Sequence, residues 1–243
     1  MAKKSTYFFI GNLSDQSAKY FVNEYPLIGG FFLEVHLNGI ALWVSTKKDF
    51  DNIFRKTKEI FDIIIPAFVF KTNKTLTYRL EHWVEAKETI SRKNIVGWIL
   101  NPFVSREHYP RQSKKNSPWK KAAWFYNNLR KGNNNHTLAL KDYHSALLDV
   151  GPDSFLFAYR AVEDICRAVT GCDEIGKNDW GKMRKTLRIT KTFIDPLTNV
   201  SKLVRHGSVT KINVKRAIKN RGRYLNITHS IIEKEFKRKF PQF

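Results

Sequence analysis

The chain has 243 residues, of which 43 are Lys or Arg and 22 are Asp or Glu, so its net charge at pH 7 is +21. A hydrophobic fraction of 42% excludes a disordered chain, and a total of two cysteines excludes a disulfide-rich scaffold. The excess of positive charge predicts an anionic partner, which is nucleic acid, an anionic membrane or an acidic protein.

The cysteines and the apolar runs indicate the cellular compartment in which the protein is expected. Cys166 and Cys172 are six residues apart, which is not the Cys-x-x-Cys spacing of a metal site, and so few cysteines are typical of the reducing cytoplasm. The first apolar run, residues 7–10, is too short for a signal peptide. The longest run, residues 63–70, is far below the ~20 residues that span a bilayer. We therefore expect a cytoplasmic protein with no membrane partner.

The positive charge is unevenly distributed along the chain. Residues 1–90 carry a net charge of +2, whereas the remaining residues carry +19. This shift predicts a domain boundary near residues 90 to 120 and an anion-binding surface beyond it. We therefore divide the chain into a small α+β domain at 1–90, a basic aromatic connector at 91–135 and a helical bundle at 136–243.

The first domain has patterns typical of an antiparallel sheet with one helix. Two runs rich in β-formers within residues 31–44 flank Asn38-Gly39, which predicts a type I′ hairpin. Thr46-x-x-Asp49 has the form of a capping box, and we expect the helix after it to end before Pro66. Strict alternation over residues 75–83 predicts a further strand. The fold class predicted for the whole chain is therefore α+β.

The connector interleaves basic and aromatic side chains. Basic groups neutralise phosphates, and aromatic rings stack on unpaired bases. The candidate nucleic-acid-binding residues in this segment are Lys114, Lys115, Trp119, Lys120, Lys121, Arg130 and Lys131. The alternative is an ordinary solvated segment whose aromatic rings pack on a core.

From residue 136 onward the apolar residues recur at helical spacing. The spacing predicts helices over 136–150 and 153–170 and a third helix around 180–189. It also predicts a fourth helix from about residue 193 that stops at Gly207, and a long basic helix over 212–236. An antiparallel bundle buries apolar stripes of this kind, so we expect an all-α C-terminal domain.

Two stretches of this domain are FAYRAVED at residues 157–164 and LVRHG at residues 203–207. Together they resemble the HEPN superfamily, most nearly its Apea-like branch, over about residues 136–240. The resemblance implies an all-α bundle that is often dimeric. It also implies RNA or nucleotide binding, and in many members metal-independent RNase activity in phage defence or toxin systems. The catalytic pattern that it implies is an Arg followed by a His after four to six residues.

Arg205, His206 and Glu163 form one candidate catalytic set, and Arg223 with His229, which have the family's spacing, form another. A His acts as acid or base near neutral pH, and an Arg neutralises the charge of a phosphorane. The alternatives are a helix C-cap for His206, a structural ion pair for Glu163 and a solvated helix face for the second set.

The last helix carries a row of cations at i,i+4 spacing, and the repulsion between them suggests that an anion binds there. These further nucleic-acid-binding candidates are Lys211, Lys215, Arg216, Lys219 and Arg221. No metal or cofactor motif is present, so no metal or cofactor is predicted. We predict a homodimeric RNA-binding protein with metal-independent endoribonuclease activity as a further hypothesis. The resemblance alone implies a defence, toxin or mobile-element setting. The alternative is a non-catalytic nucleic-acid-binding or adaptor module that uses the bundle for dimerisation.

Overall fold

The computed structural model describes residues 5–14, 27–28, 30–36, 39–86, 118–129, 133–207 and 211–241. These residues form five strands and eight helices. The chain divides into two compact units, Met1–Asn128 and Leu129–Phe243, and the boundaries predicted at residues 90 and 135 lie on either side of that division. The first unit contains an antiparallel sheet and the second is helical, which confirms the predicted α+β class.

The sheet consists of strands β1 (Ser5–Leu13), β2 (Leu27–Ile28), β3 (Phe31–His36), β4 (Gly39–Thr46) and β5 (Tyr78–Ala86). Their order across the sheet is β2-β3-β4-β1-β5, and all neighbours are antiparallel. The predicted hairpin is confirmed as β3 and β4. Its register pairs His36 with Gly39, so Gly39 belongs to the strand and not to the turn.

Strand β1 lies inside the sheet, although the sequence predicted no strand there. Tyr7, Phe8 and Phe9 are all buried, so both faces of the strand are covered at these positions. A strand that is buried on both faces has a continuous apolar run instead of an alternating pattern. The run at residues 7–10 therefore lacked the signal that identifies a half-buried strand.

Helix α1 (Phe50–Thr72) packs on one face of the sheet. The Asp49 side chain caps it by accepting a hydrogen bond from the N–H of Asn52 (3.0 Å). The prediction that this helix ends before Pro66 is wrong, because the helix continues to its end at Thr72. Residues 63–70 are all buried, and their burial outweighs the cost of about 3 kcal/mol for a proline inside a helix.

The remaining helices are α2 (Pro118–Leu129), α3 (Asn134–Leu148), α4 (Asp153–Thr170), α5 (Lys177–Leu187), α6 (Lys191–Arg205), α7 (Lys211–Lys219) and α8 (Arg221–Lys239). Helix α2 belongs to the first unit except for its last residue. In the second unit, α4 packs against α3, α5, α6 and α8, and the Thr228 hydroxyl of α8 donates to the Ala158 carbonyl of α4 (3.3 Å). The predicted helical bundle is confirmed, with α4 at its centre.

The single long helix predicted at the C-terminal end is wrong, because α7 and α8 are separated at Asn220. The Asn220 side chain donates to the carbonyl of Arg216 (2.9 Å), a local bond that competes with the helical pattern. The next residue, Arg221, donates from Nη2 to the carbonyls of Ala146 and Leu147 (2.7 and 2.8 Å). These carbonyls lie in the last turn of α3, which has no helical donor for them. Arg221 thus ties the start of α8 to the end of α3.

A buried hydrogen-bonded pair, His136 and Glu235, connects α3 with α8. The Glu235 carboxylate is fully buried and accepts hydrogen bonds from His136 Nε2 (3.0 Å) and from Nε and Nη2 of Arg238 (2.7 and 2.9 Å). Burial by itself raises the pKa of Glu235, but the bonds from His136 and Arg238 outweigh it and hold that pKa below its usual value. His136 lies in the first turn of α3 and Glu235 lies near the end of α8, so the pair fixes these two helix ends together.

Candidate nucleic-acid interface

Arg205 is the last residue of α6 and lies against two side chains of α4. Its Nη2 atom is 3.9 Å from Oε1 of Glu163, and its guanidinium lies 5.3 Å from the ring centre of Tyr159. The Arg205 side chain is 51% exposed and that of Glu163 is 20% exposed. The structure therefore brings Arg205 and Glu163 together, and much of the guanidinium still faces solvent.

His206 is the C-cap residue of α6, and its side chain is exposed. Its backbone N–H donates to the carbonyl of Lys202 (3.1 Å), and Gly207 follows with a φ of +62°. Glycine is favoured in this left-handed conformation just after a helix. His206 therefore occupies the cap position that was its alternative interpretation, and its imidazole is at the surface next in sequence to Arg205.

Tyr159 supports both members of the Arg205–Glu163 pair. Burial raises the pKa of Tyr159 to about 12, and the neighbouring Glu163 carboxylate contributes to the rise. The phenol is therefore protonated at neutral pH, and its ring presents a neutral face to the guanidinium. A cation over an aromatic ring is held by the electrostatic attraction of the ring face.

Two further carboxyl groups of this region have arginine partners of their own. Asp142 of α3 pairs with Arg160 (3.1 Å), and Asp164 of α4 pairs with Arg167 (2.9 Å). Burial raises the pKa of both carboxyl groups, and Asp142 raises that of Asp164 further, to about 6. Since both carboxyl groups are already paired, Glu163 is the carboxylate that balances the charge of Arg205.

Trp180 adds an aromatic surface that the sequence did not assign to the site. It lies in the first turn of α5, and its ring stacks on Tyr159 with centres 5.8 Å apart and planes 25° apart. Its side chain is half-buried. Sequence reasoning missed Trp180 because a tryptophan at helical spacing is typical of core packing.

The second candidate catalytic set is not brought together as a pair. Arg223 and His229 are six residues apart on α8, which places them about 9 Å apart along the helix axis and about 120° apart around it. Arg223 is exposed, whereas the ring of His229 lies 5.7 Å from that of Tyr143. The family's spacing thus occurs here in a helix that directs the two side chains apart.

Residues 196–232 contain eight Lys or Arg and no Asp or Glu. Five of these cations are exposed and form no ion pair with any residue that the structure describes. Lys202 lies on α6, and the other four lie on α7 and α8: Lys215, Arg216, Lys219 and Arg223. We call these four the basic set. Lys219 lies three residues after Arg216 and four after Lys215, and like charges at these spacings destabilise a helix. The basic set is therefore a concentration of positive charge that no described carboxylate balances.

Two candidate binding residues have structural roles in place of the predicted contact with nucleic acid. Trp119 is fully buried and stacks on Phe68 with ring centres 4.2 Å apart, so it offers no ring face to a base. Its alternative interpretation, an aromatic ring packed on a core, is the correct one. Arg221 is half-buried, and its Nη2 caps the end of α3, so it is not available as a free phosphate contact.

The other candidates divide by what the structure describes. Lys121 is exposed on α2, and Lys120 beside it is half-buried. The candidates Lys114, Lys115, Arg130 and Lys131 lie outside the described residues, as does the side chain of Lys211. The structure thus leaves the predictions for these five residues as they stood.

Comparison with known protein families finds a match over part of the chain. Residues 125–236 match the C-terminal domain of DUF8168, a domain of unknown function. The match runs from the end of α2 to near the end of α8, and so includes Glu163, Trp180, Arg205 and the basic set. No curated protein and no solved structure matches the chain. The resemblance to the HEPN superfamily, the RNA partner and the dimer stay predictions.

Neither a metal-binding cluster nor a membrane-spanning helix is found among the described residues. In the described part of the chain, no three His, Cys, Asp or Glu side chains are arranged to hold a metal ion. No helix in the described part of the chain is long and apolar enough to cross a membrane.

Proposed function

We propose that the second unit binds nucleic acid, and RNA in particular, through the basic set on α7 and α8. The observation that supports this most is the absence of any carboxylate from residues 196–232, together with the exposure of Lys215, Arg216, Lys219 and Arg223. Phosphates of a nucleic acid balance such charges and release counterions when they bind. The choice of RNA over DNA rests on the family resemblance.

The salt dependence of binding tests this proposal. For single strands the slope of log affinity against log salt is about −0.7 for each phosphate contact. Replacing all four residues of the basic set by Gln is therefore expected to make the slope shallower by about 2.8 units and to weaken binding most at low salt. Fluorescence anisotropy of a labelled single-stranded RNA between 50 and 300 mM salt measures both quantities.

A matched variant controls for the loss of net charge. Lys47, Lys48, Arg55 and Lys58 are four exposed cations of the first unit, and their replacement by Gln removes the same charge. We expect this variant to keep most of the affinity and the original slope. Equal losses in the two variants, or no binding by the parent protein at 50 mM salt, would contradict the proposal.

A second candidate function is metal-independent cleavage of the bound RNA. It is favoured by the 3.9 Å pair of Arg205 and Glu163 at the same helix end as the exposed imidazole of His206. In this reaction His206 takes the proton of a 2′-hydroxyl, the 2′-oxygen bonds to phosphorus, and the bond to the 5′-oxygen breaks. The products are a 2′,3′-cyclic phosphate and a 5′-hydroxyl, which receives its proton from a second His206 in the predicted dimer. Arg205 neutralises the phosphorane charge, and Glu163 orients Arg205.

Cleavage is tested in EDTA with labelled single-stranded RNA. We expect the parent protein to cleave, His206→Ala to be slower by at least about 100-fold, and His229→Ala to retain the parent rate. His229 is a suitable control because it lies in the same unit and packs against Tyr143. If EDTA abolishes cleavage by the parent protein, or if all three proteins cleave equally, the catalytic role of His206 is wrong.

A further inference from the structure

We propose that the ring of Trp180 stacks on an unpaired base, so that the second unit takes single-stranded RNA in preference to duplex RNA; this inference rests on the proposed binding function. Aromatic side chains bind single strands in this way because every base has a ring face, whatever its sequence. In a duplex, the faces of the bases are covered by neighbouring bases, so the ring of Trp180 has no base face on which to stack.

Three residues from three helices build the surface. Tyr159 of α4 is in contact with Trp180 of α5 through the stacked rings, and with Arg205 of α6 through its ring face. Tyr159 itself is buried, so it holds both partners in place. The half-buried indole and the half-exposed guanidinium therefore contact the same fixed phenol ring. This arrangement places a surface for a base next to a cation for the adjoining phosphate.

Two carboxylates at this surface, those of Glu163 and Asp179, are paired with cations, so they do not repel a phosphate strongly. Glu163 lies 3.9 Å from Arg205. Asp179, which precedes Trp180, accepts a hydrogen bond from the backbone N–H of Gly176 (3.0 Å) and lies 3.5 Å from Nζ of Lys182. Beyond Arg205 the chain continues into the carboxylate-free segment that contains the basic set. The acid that contacts Arg205 and the acid next to Trp180 thus have cationic partners, and the segment after Arg205 adds cations without acids.

Two substitutions at Trp180 separate stacking from packing. Trp180→Leu keeps an apolar side chain against Tyr159 but removes the flat ring, whereas Trp180→Phe keeps a ring. The probes are a labelled 12-nucleotide RNA of mixed sequence, alone and annealed to its complement. We expect Trp180→Leu to weaken binding of the single strand by about 5- to 150-fold with no change in salt slope, and to leave duplex binding within about twofold. Trp180→Phe is expected to bind the single strand much as the parent protein does.

The duplex serves as an internal control for folding, because a misfolded second unit loses both probes. Trp124→Leu is the matched control, since Trp124 is also half-buried but belongs to α2 in the first unit. If Trp180→Leu binds the single strand as tightly as the parent protein, or weakens both probes equally while its circular dichroism matches that of the parent protein, the stacking inference is overturned while the proposed function stands. If the parent protein binds neither probe, both are overturned.

Discussion

Replacing Glu235 by Ala is expected to lower the free energy of unfolding of the second unit by about 3–5 kcal/mol. Glu235 is fully buried, and its carboxylate is the acceptor for His136 Nε2. The other ring nitrogen, Nδ1 of His136, is buried with no hydrogen-bond partner among the described residues. Removal of the carboxylate therefore leaves a buried imidazole with neither nitrogen bonded, and it also leaves a cavity. Hydrogen–deuterium exchange of peptides from α3 and α8 measures the loss, because these are the helices that the pair connects.

Glu233 provides the matched control on the same helix. Its carboxylate forms an i,i+4 pair with Lys237 (2.8 Å), but the Glu233 side chain is 38% exposed and that of Lys237 is 63% exposed. An exposed helical pair of this kind contributes about 0.3–0.5 kcal/mol, so Glu233→Ala is expected to be nearly neutral. If the two variants have similar stability, the buried network does not contribute what its geometry implies.

The Glu235 contribution has a defined dependence on pH. The pKa of Glu235 in the folded protein lies below the usual value of 4.5, so the folded state favours the ionised carboxylate. The stability that it contributes is therefore fully present above about pH 4.5 and is lost as the pH falls through the lower, folded pKa. We accordingly expect the difference in stability between the parent protein and Glu235→Gln to shrink below pH 4.5. A difference that is constant from pH 3 to pH 7 would show that ionisation of Glu235 does not stabilise the fold.

The sequence predicted elements well where one face of an element is buried and the other is exposed. The helices α3 to α6 and strand β5 have such patterns, and each lies within a few residues of its predicted position. The predictions failed where burial or a distant contact overrides the local signal. Pro66 lies in a segment that is buried all round, and Asn220 precedes an arginine that bonds to carbonyls about seventy-five residues earlier in the chain.

The candidate site was predictable only in part, because contacts between distant helices are not visible in the local sequence. Short sequence motifs indicated Arg205 and Glu163, and the structure places them 3.9 Å apart. Trp180 was missed, because its helical spacing is typical of a core residue and does not reveal its contact with Tyr159 on another helix. Trp119 was assigned to nucleic acid because basic residues surround it in sequence, yet charge neighbours do not reveal whether a ring is buried.

Replacing Trp119 by Ala is expected to lower the free energy of unfolding of the first unit by about 3–5 kcal/mol and to leave RNA affinity unchanged. The indole is fully buried against Phe68, so its removal eliminates that contact and leaves a large cavity. Trp119→Phe should cost less, because a ring still packs on Phe68 and the buried Nε1, which has no hydrogen-bond partner among the described residues, is removed. Urea denaturation followed by circular dichroism gives the stabilities, and anisotropy with labelled RNA gives the affinity.

Lys121→Ala is the control for the stability measurement on helix α2. Lys121 is exposed on the same helix, so its replacement should change stability by no more than about 0.5 kcal/mol. If Trp119 stacks on bases, the outcome for Trp119→Ala is reversed: RNA binding weakens while the stability of the first unit is preserved. The ring of Trp119 is packed on Phe68, so it would have to leave the core to reach a base. Leaving the core would lose about as much stabilising burial as deleting the ring does. Large destabilisation with unchanged affinity is therefore the result that the burial of Trp119 requires.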